Sequence, residues 1–244
     1  MANPRMCHRS WFGVGRRAVA RLGIIPGMSD VERVQQVRVE DVAVSIESLG
    51  RPVELRALFG NDGPVEMEIG CGKGGFLLRM ARAHPERNFL GIEWASQFYK
   101  FAADRMARWG VGNVRIIRTD AKNFVIHRLP PACLSALHVY HPDPWPKTRH
   151  HKRRLFTPDF VEAAVRASAP GARWAIQTDH AEYFEQIRRV TASRRELEEI
   201  PYDDADYGTV EARTETNFEV KYLREGRTIY RVAYRRIENV ESRM

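Results

Sequence analysis

The sequence predicts an α/β fold: a doubly wound, mostly parallel sheet with an antiparallel C-terminal hairpin at one edge. Three observations predict it. From Val65 to about Ser193, short apolar runs alternate with longer stretches of helical period. Each apolar run ends in a glycine loop or a carboxylate. Near the end, two runs, Phe218–Leu223 and Thr228–Tyr234, flank Glu225-Gly226, a hairpin signal.

The elements follow in order. Residues 29–49 alternate charge with Val and Ile and specify no element. Pro52 to Phe59 reads as a short amphipathic helix. Val65–Ile69 is the first strand, and Gly70 to Gly75 a turn. Phe76 to Ala83 is a helix with Phe76, Leu77, Met80 and Ala81 on one face and Pro85 just beyond its end. Phe89–Glu93 is a second strand, followed by a helix from Gln97 to Trp109 that Gly110 and Gly112 close. Val114–Arg118 and Leu134–Tyr140 are the third and fourth strands. A helix from Phe156 to Ala167 starts through Thr157-Pro158, a capping residue before a first-turn proline. Arg173–Gln177 is the fifth strand, and a helix runs from Ala181 to about Ser193.

Composition narrows the function. At 244 residues with 43% hydrophobic content, the chain can bury one ordinary core. No apolar run approaches the roughly 18 residues that span a bilayer. The net charge is +8, and more than half of that excess sits in residues 1–27, which hold five arginines and no acid. That piece reads as a basic arm, or as sequence upstream of a start at Met28. Residues 1–50 are set apart as a basic N-terminal extension, and 51–244 as the domain. Cys7, Cys71 and Cys133 show no paired spacing, which suits a reducing, cytoplasmic setting. His138 with His141, or His150 with His151, lacks a Cys or carboxylate at ligand spacing, so no metal is expected.

In parallel sheets ligands bind beyond the carboxyl ends of the strands. Here those ends deliver Gly70-Cys71-Gly72, Glu93, Asp120, Asp143 and Asp179 to a single rim. Gly70 to Gly75 matches G-x-G-x-x-G, a pattern shared by dinucleotide and methyl-donor folds. Glu68 separates the two. A carboxylate beside a pyrophosphate would repel it, whereas S-adenosylmethionine carries an ammonium and a sulfonium and no phosphate. Glu93 suits a ribose diol and Asp120 an adenine amino group. The set favours the methyl donor over a nicotinamide cofactor.

The segment after the fourth strand concentrates the remaining chemistry. Pro142 and Pro144 flank Asp143 and restrict the backbone around it. Trp145 either stacks on a base or packs the loop. Lys147, Arg149, Lys152, Arg153 and Arg154 fall within eight residues with no acid among them. Beside the expected active rim, such a cluster suits phosphates.

These residues resemble a family. Glu68-Ile69-Gly70-Cys71-Gly72-Lys73-Gly74, Gly91-Ile92-Glu93, Pro142-Asp143-Pro144-Trp145-Pro146-Lys147, His150-His151-Lys152-Arg153-Arg154 and Thr216-Asn217-Phe218-Glu219-Val220-Lys221 are similar to the bacterial tRNA (guanine-N7-)-methyltransferases. The likeness runs from about Pro52 to Arg236. It implies a class I fold, S-adenosylmethionine as cofactor, tRNA as partner, and 7-methylguanosine at position 46, in the variable loop, as product. It implies that Glu68, Gly70, Glu93, Asp120 and Asp143 contact the donor, and that Asp143 is also catalytic. Lys147, Asp179, Thr216, Asn217, Phe218 and Glu219 would contact the substrate. Arg149, His150, His151, Lys152, Arg153 and Arg154 would contact RNA. The chain departs from the family pattern at His141, where an aromatic is usual, at His151, where Asn is common, and at Thr214, where Pro is frequent. Methylation of another RNA site or a small molecule, and RNA binding without catalysis, are the alternatives. Monomer and homodimer stay open.

Overall fold

The computed structural model describes residues 36–203 and 225–238. Its strands are β1 Ala43–Val44, β2 Val65–Ile69, β3 Asn88–Glu93, β4 Val114–Arg118, β5 Leu134–Tyr140, β6 Ser168–Thr178, β7 Leu197–Ile200 and β8 Tyr230–Arg236. Its helices are α1 Val39–Val42, α2 Leu55–Phe59, α3 Gly75–Ala83, α4 Ser96–Arg108, α5 Ala121–His127, α6 Pro158–Ala167 and α7 Ala181–Ala192. Short 3-10 turns occupy Ile46–Ser48 and Thr148–Arg153. No helix among the described residues is long and apolar enough to cross a membrane.

One sheet holds the eight strands of the described residues in the order β1-β4-β3-β2-β5-β6-β8-β7. The first six in that order pair in parallel, and β8 runs antiparallel to both β6 and β7. Every residue of β2 and β3 is buried, as expected of central strands covered on both faces. One buried cluster packs α2, α5, α6 and α7 through Phe59, Phe124, Phe160 and Ile187. The other packs α1, α3 and α4 through Val42, Leu77, Met80 and Met106. The chain order reverses between β2 and β5, and the crevice at such a switch point is where these sheets bind ligands.

The expected parallel strands and the helices between them are present, their ends displaced by a residue or more. β6 starts earlier than expected, at Ser168. The helix expected from Pro52 is confined to Leu55–Phe59. Thr157 does not cap α6 with its side chain; its hydroxyl turns back to the Leu155 carbonyl at 3.5 Å, and Pro158 alone provides the start. The C-terminal antiparallel pair is β7 with β8. The expected hairpin partner Phe218–Leu223 lies outside the described residues, as do residues 1–35.

Gly91 in β3 supports the loop above it. A Cβ there would lie 2.6 Å from Leu77 Cδ1 and 3.0 Å from Cys71 Sγ. Gly91→Ala is therefore expected to cost about 1–3 kcal/mol through overpacking. The shift of the urea midpoint at constant m value measures it; an unshifted midpoint contradicts this packing.

Candidate active site

The site starts with the turn after β2. Gly70 and Gly72 have φ of +75° and +54°, the left-handed region that glycine enters without a Cβ penalty. The amides of Gly70 and Cys71 both donate to the Ile92 carbonyl, at 2.8 and 3.1 Å, which ties the turn to the end of β3. Gly74 has φ of +68°, and a Cβ on it would lie 2.7 Å from Met106 Cε and 3.1 Å from Ala102 Cβ. Only glycine lets α4 approach this closely.

The rim acids are held by backbone donors. Glu93 accepts from the Gly72 amide at 2.8 Å and from the Ala95 amide at 2.7 Å, one bond to each oxygen. Each oxygen keeps a lone pair for a ligand hydroxyl. Asp120 caps α5, accepting from the Asn123 amide at 2.7 Å with one oxygen. Glu93, Asp120, Asp143, Gly70 and Gly72 share a cleft of about 400 Å³ whose apolar lining includes Ile69, Ile92 and Phe98. That is an ordinary volume for a cofactor site.

Glu68, on β2 two residues before Gly70, is 4% exposed, and its Oε2 has no hydrogen-bond partner among the described residues. Burial pushes its carboxyl up to about 8; Glu93 adds to the rise and Arg79 opposes it. The sequence suggests a fixed negative charge here. The structure holds a carboxyl that is mostly neutral at pH 7.

A second buried polar row reaches the cleft wall. Arg87 donates to Glu66 at 2.6 Å, Glu66 pairs with His138 Nε2 at 2.9 Å, and His138 Nδ1 lies 3.1 Å from the Tyr140 hydroxyl. Burial alone would raise the Glu66 carboxyl, but His138 and Arg87 together hold it below the ordinary value.

The loop after β5 is strained. His141 and Trp145 have φ of +51° and +43°, uncommon for residues with side chains, and they bracket Pro142-Asp143-Pro144. At one end the His141 amide donates to the Gln177 carbonyl at 2.8 Å. At the other, Arg154 donates to the Pro144 carbonyl at 2.8 Å. Asp143 is exposed at the cleft lip, and no ion pair engages it among the described residues. Burial keeps the His141 imidazole below its usual pKa, with Asp179, 3.8 Å away, partly opposing.

The basic cluster is not uniform, and Arg154 must be reassigned. It is 1% exposed. It donates to Gln186 at 2.7 Å and Glu182 at 3.2 Å, and lies over the Tyr183 ring at 5.0 Å. A guanidinium buried among these partners is a loop anchor and not an RNA contact. The 3-10 turn puts Lys147, Arg149, Lys152 and Arg153 outside and Arg154 inside. Arg153 stands 4.9 Å over the Trp145 ring, and His150 meets that ring edge-on at 5.9 Å. Trp145 thus packs within the loop while also lining the cleft. His151 is half-buried, 3.7 Å from Glu182.

Asp179 does not line the cleft. Its carboxylate takes Arg227 at 2.8 Å and reaches the loop through His141. Thr216, Asn217, Phe218 and Glu219 lie outside the described residues. The sequence reading missed Trp94, Phe98 and Tyr140, which also line the cleft. The available signal was a Trp directly after the last residue of a parallel strand. Among the described residues, no cluster of His, Cys, Asp and Glu could hold a metal.

Cofactor chemistry fits what is present. The cleft has carboxylates for a diol and an amino group and open space above Gly70, and two residues before Gly70 on β2 the buried Glu68 carboxyl keeps an oxygen without a hydrogen-bond partner among the described residues. A family model described as "Putative methyltransferase" matches residues 62–232. The tRNA (guanine-N(7)-)-methyltransferase of Alkalilimnicola ehrlichii is 36% identical over 192 residues, 78% of this chain and 80% of that one. That of Geobacter metallireducens is 32% identical over 190 residues, 78% and 90% of the two chains. Two solved structures share the fold. The 16S rRNA methyltransferase KamB matches with a TM-score of 0.55 at 15% identity, covering 78% of this chain and 98% of that one. The antibiotic-resistance methyltransferase Kmr matches with 0.52 at 18%, covering 76% and 92%.

Two outcomes follow from Glu68 and Arg154. Between pH 4.5 and about 8 the folded state keeps a proton on Glu68 that the unfolded state loses. Stability therefore falls as pH rises through that window, by up to about 1.4 kcal/mol per pH unit. Glu68→Gln should remove this slope in urea titrations from pH 5 to 8; an unchanged slope contradicts the assignment. Arg154→Ala should lose about 3 kcal/mol or more, leaving the Pro144 carbonyl and the Gln186 side-chain oxygen unpaired. Arg149→Ala should change stability by less than about 0.5 kcal/mol, and denaturant midpoints of the two variants test the contrast.

Proposed function

The chain belongs to the tRNA (guanine-N(7)-)-methyltransferase family, and on that premise we propose that Asp143 is its catalytic carboxylate. The enzyme transfers a methyl group from S-adenosylmethionine to N7 of guanine in tRNA. The target is the guanosine at position 46, in the variable loop. S-adenosylmethionine, when bound, supplies an activated methyl group on a cationic sulfur.

Guanine N7 has an in-plane lone pair and no proton, so the chain needs no base at that atom. The purine becomes cationic as the new bond forms. Asp143 is an exposed carboxylate held still by its strained loop, at the lip of the cleft that Glu93 and Asp120 share. A fixed negative charge placed where positive charge develops lowers the barrier without reorganising at the moment of reaction. This observation carries the reading. Asp179 has a lesser part, because Arg227 already takes its charge; it braces His141 from behind.

Glu93 and Asp120 hold the donor's diol and amino group, and Gly70 and Gly72 leave room beneath them. Glu68 meets the donor's positive end and gives up its proton as it does so. Lys147, Arg149, Lys152 and Arg153 form an exposed basic strip beside the lip for the tRNA phosphates. Thr216, Asn217, Phe218 and Glu219, outside the described residues, are the proposed substrate contacts.

Asp143→Ala should lower the rate of methyl transfer by about 100-fold or more, with donor affinity retained. The measurement is labelled methyl incorporation into tRNA, digestion, and identification of the nucleoside as 7-methylguanosine. Unchanged turnover, or label in another nucleoside, rejects this assignment. Donor binding at pH 7 should release protons, seen as a calorimetric enthalpy that changes with buffer ionisation. No buffer dependence removes Glu68 from that role.

A further inference from the structure

The inward side of α4 is complete: Ala102, Ala103 and Met106 are fully buried against the core. Its outward side is unusual. Phe98 and Phe101, three residues apart on one helix face, are 37% and 41% exposed, and Trp94, just before the helix, is 69% exposed. The Lys73 ammonium stands 5.7 Å over the Phe101 ring, and Arg105 donates to the Lys73 carbonyl at 3.3 Å. Lys100 is exposed as well, about 100° round the helix from Phe101, so it borders the aromatic pair on the side away from Phe98. The only acid on α4 is Asp104, and Arg108 takes its carboxylate at 2.8 Å. The result is an exposed aromatic strip with cations on its border.

We propose that this face is a stacking platform for an unpaired nucleotide of the RNA substrate, with Lys73, Lys100 and Arg105 holding the adjoining phosphates. Charge decides the occupant. A second copy docked through the same face would bring these cations against their own symmetry mates. A single-stranded nucleic acid supplies flat apolar bases and regular negative charge, the complement of aromatics bordered by lysine and arginine. Position agrees, because Trp94 and Phe98 also line the donor cleft, so a nucleotide on the strip lies next to the acceptor. The platform lies on a different element from the basic strip after Lys147, and the two together would grip the substrate from both sides of the cleft. This inference rests on the tRNA reading above.

The test uses the full chain with Phe101→Ala and Lys100→Ala combined, since neither residue lines the cleft. The expected result is a KM for tRNA raised about tenfold, with kcat at saturating tRNA within about twofold. Donor affinity by calorimetry and the melting temperature should not change. Phe101→Trp with Lys100→Arg should restore KM. An unchanged KM in the double alanine variant, while the wild type still forms 7-methylguanosine, overturns the platform and leaves the tRNA reading standing. A wild type that forms no 7-methylguanosine overturns the tRNA reading instead. In that event, anisotropy with a single-stranded oligoribonucleotide decides the platform, which falls if the variant binds as tightly as wild type. A dimer in sedimentation that the alanine variant converts to monomer also overturns it, since a second copy would then be the occupant.

Discussion

The hydrogen bond from the buried Arg154 guanidinium to the Pro144 carbonyl is the contact on which the acceptor side depends. Two residues in the left-handed region cost on the order of 1–3 kcal/mol each, and something must hold them there. Arg154 does so from within, while α7 holds Arg154 through Glu182, Gln186 and the Tyr183 ring. Gln186 also donates to the Phe156 carbonyl at 2.9 Å, and Tyr183 takes the Phe156 amide at 3.2 Å. The carboxylate of Asp143 is therefore positioned by a helix that never touches the cleft. A charged side chain belongs in such a place because its planar fork can serve three acceptors at once.

The donor side follows a different logic. Glu93 and Asp120 are arranged by backbone amides, so their geometry follows from the turn and the helix start. Glu68 has no such help. The fold accepts a buried, largely neutral carboxyl with an orphaned oxygen, a destabilising choice that only a cationic ligand would relieve. If Glu68 takes the proposed donor role, stability and donor affinity are in opposition at this one residue.

Much of this was legible in the sequence. Most central strands write themselves as apolar runs, although β2 carries Glu66 and Glu68 between its apolar residues, and parallel order sends the strand ends to one rim, so Glu93, Asp120 and Asp143 could be grouped from sequence. Short or polar elements could not. β7 is Leu-Glu-Glu-Ile with its two glutamates exposed, β1 is two residues long, and α5 is seven residues without a strong face. Arg154 looked like its neighbours because a basic run does not reveal which member a 3-10 turn will point inward. The protonation of Glu68 was hidden for a related reason: burial depth at a strand end is set by what covers it, and the covering residues lie far away in sequence.

Gly74 carries a mechanical consequence. Because α4 rests against it through Ala102 and Met106 with no room for a Cβ, the glycine turn and the helix form one tightly packed contact. On the proposed reading, that contact joins the exposed side of α4 to the floor beneath the donor. The two halves of a bisubstrate reaction would then share one lever, and the grip on either partner sets the resting position of the other.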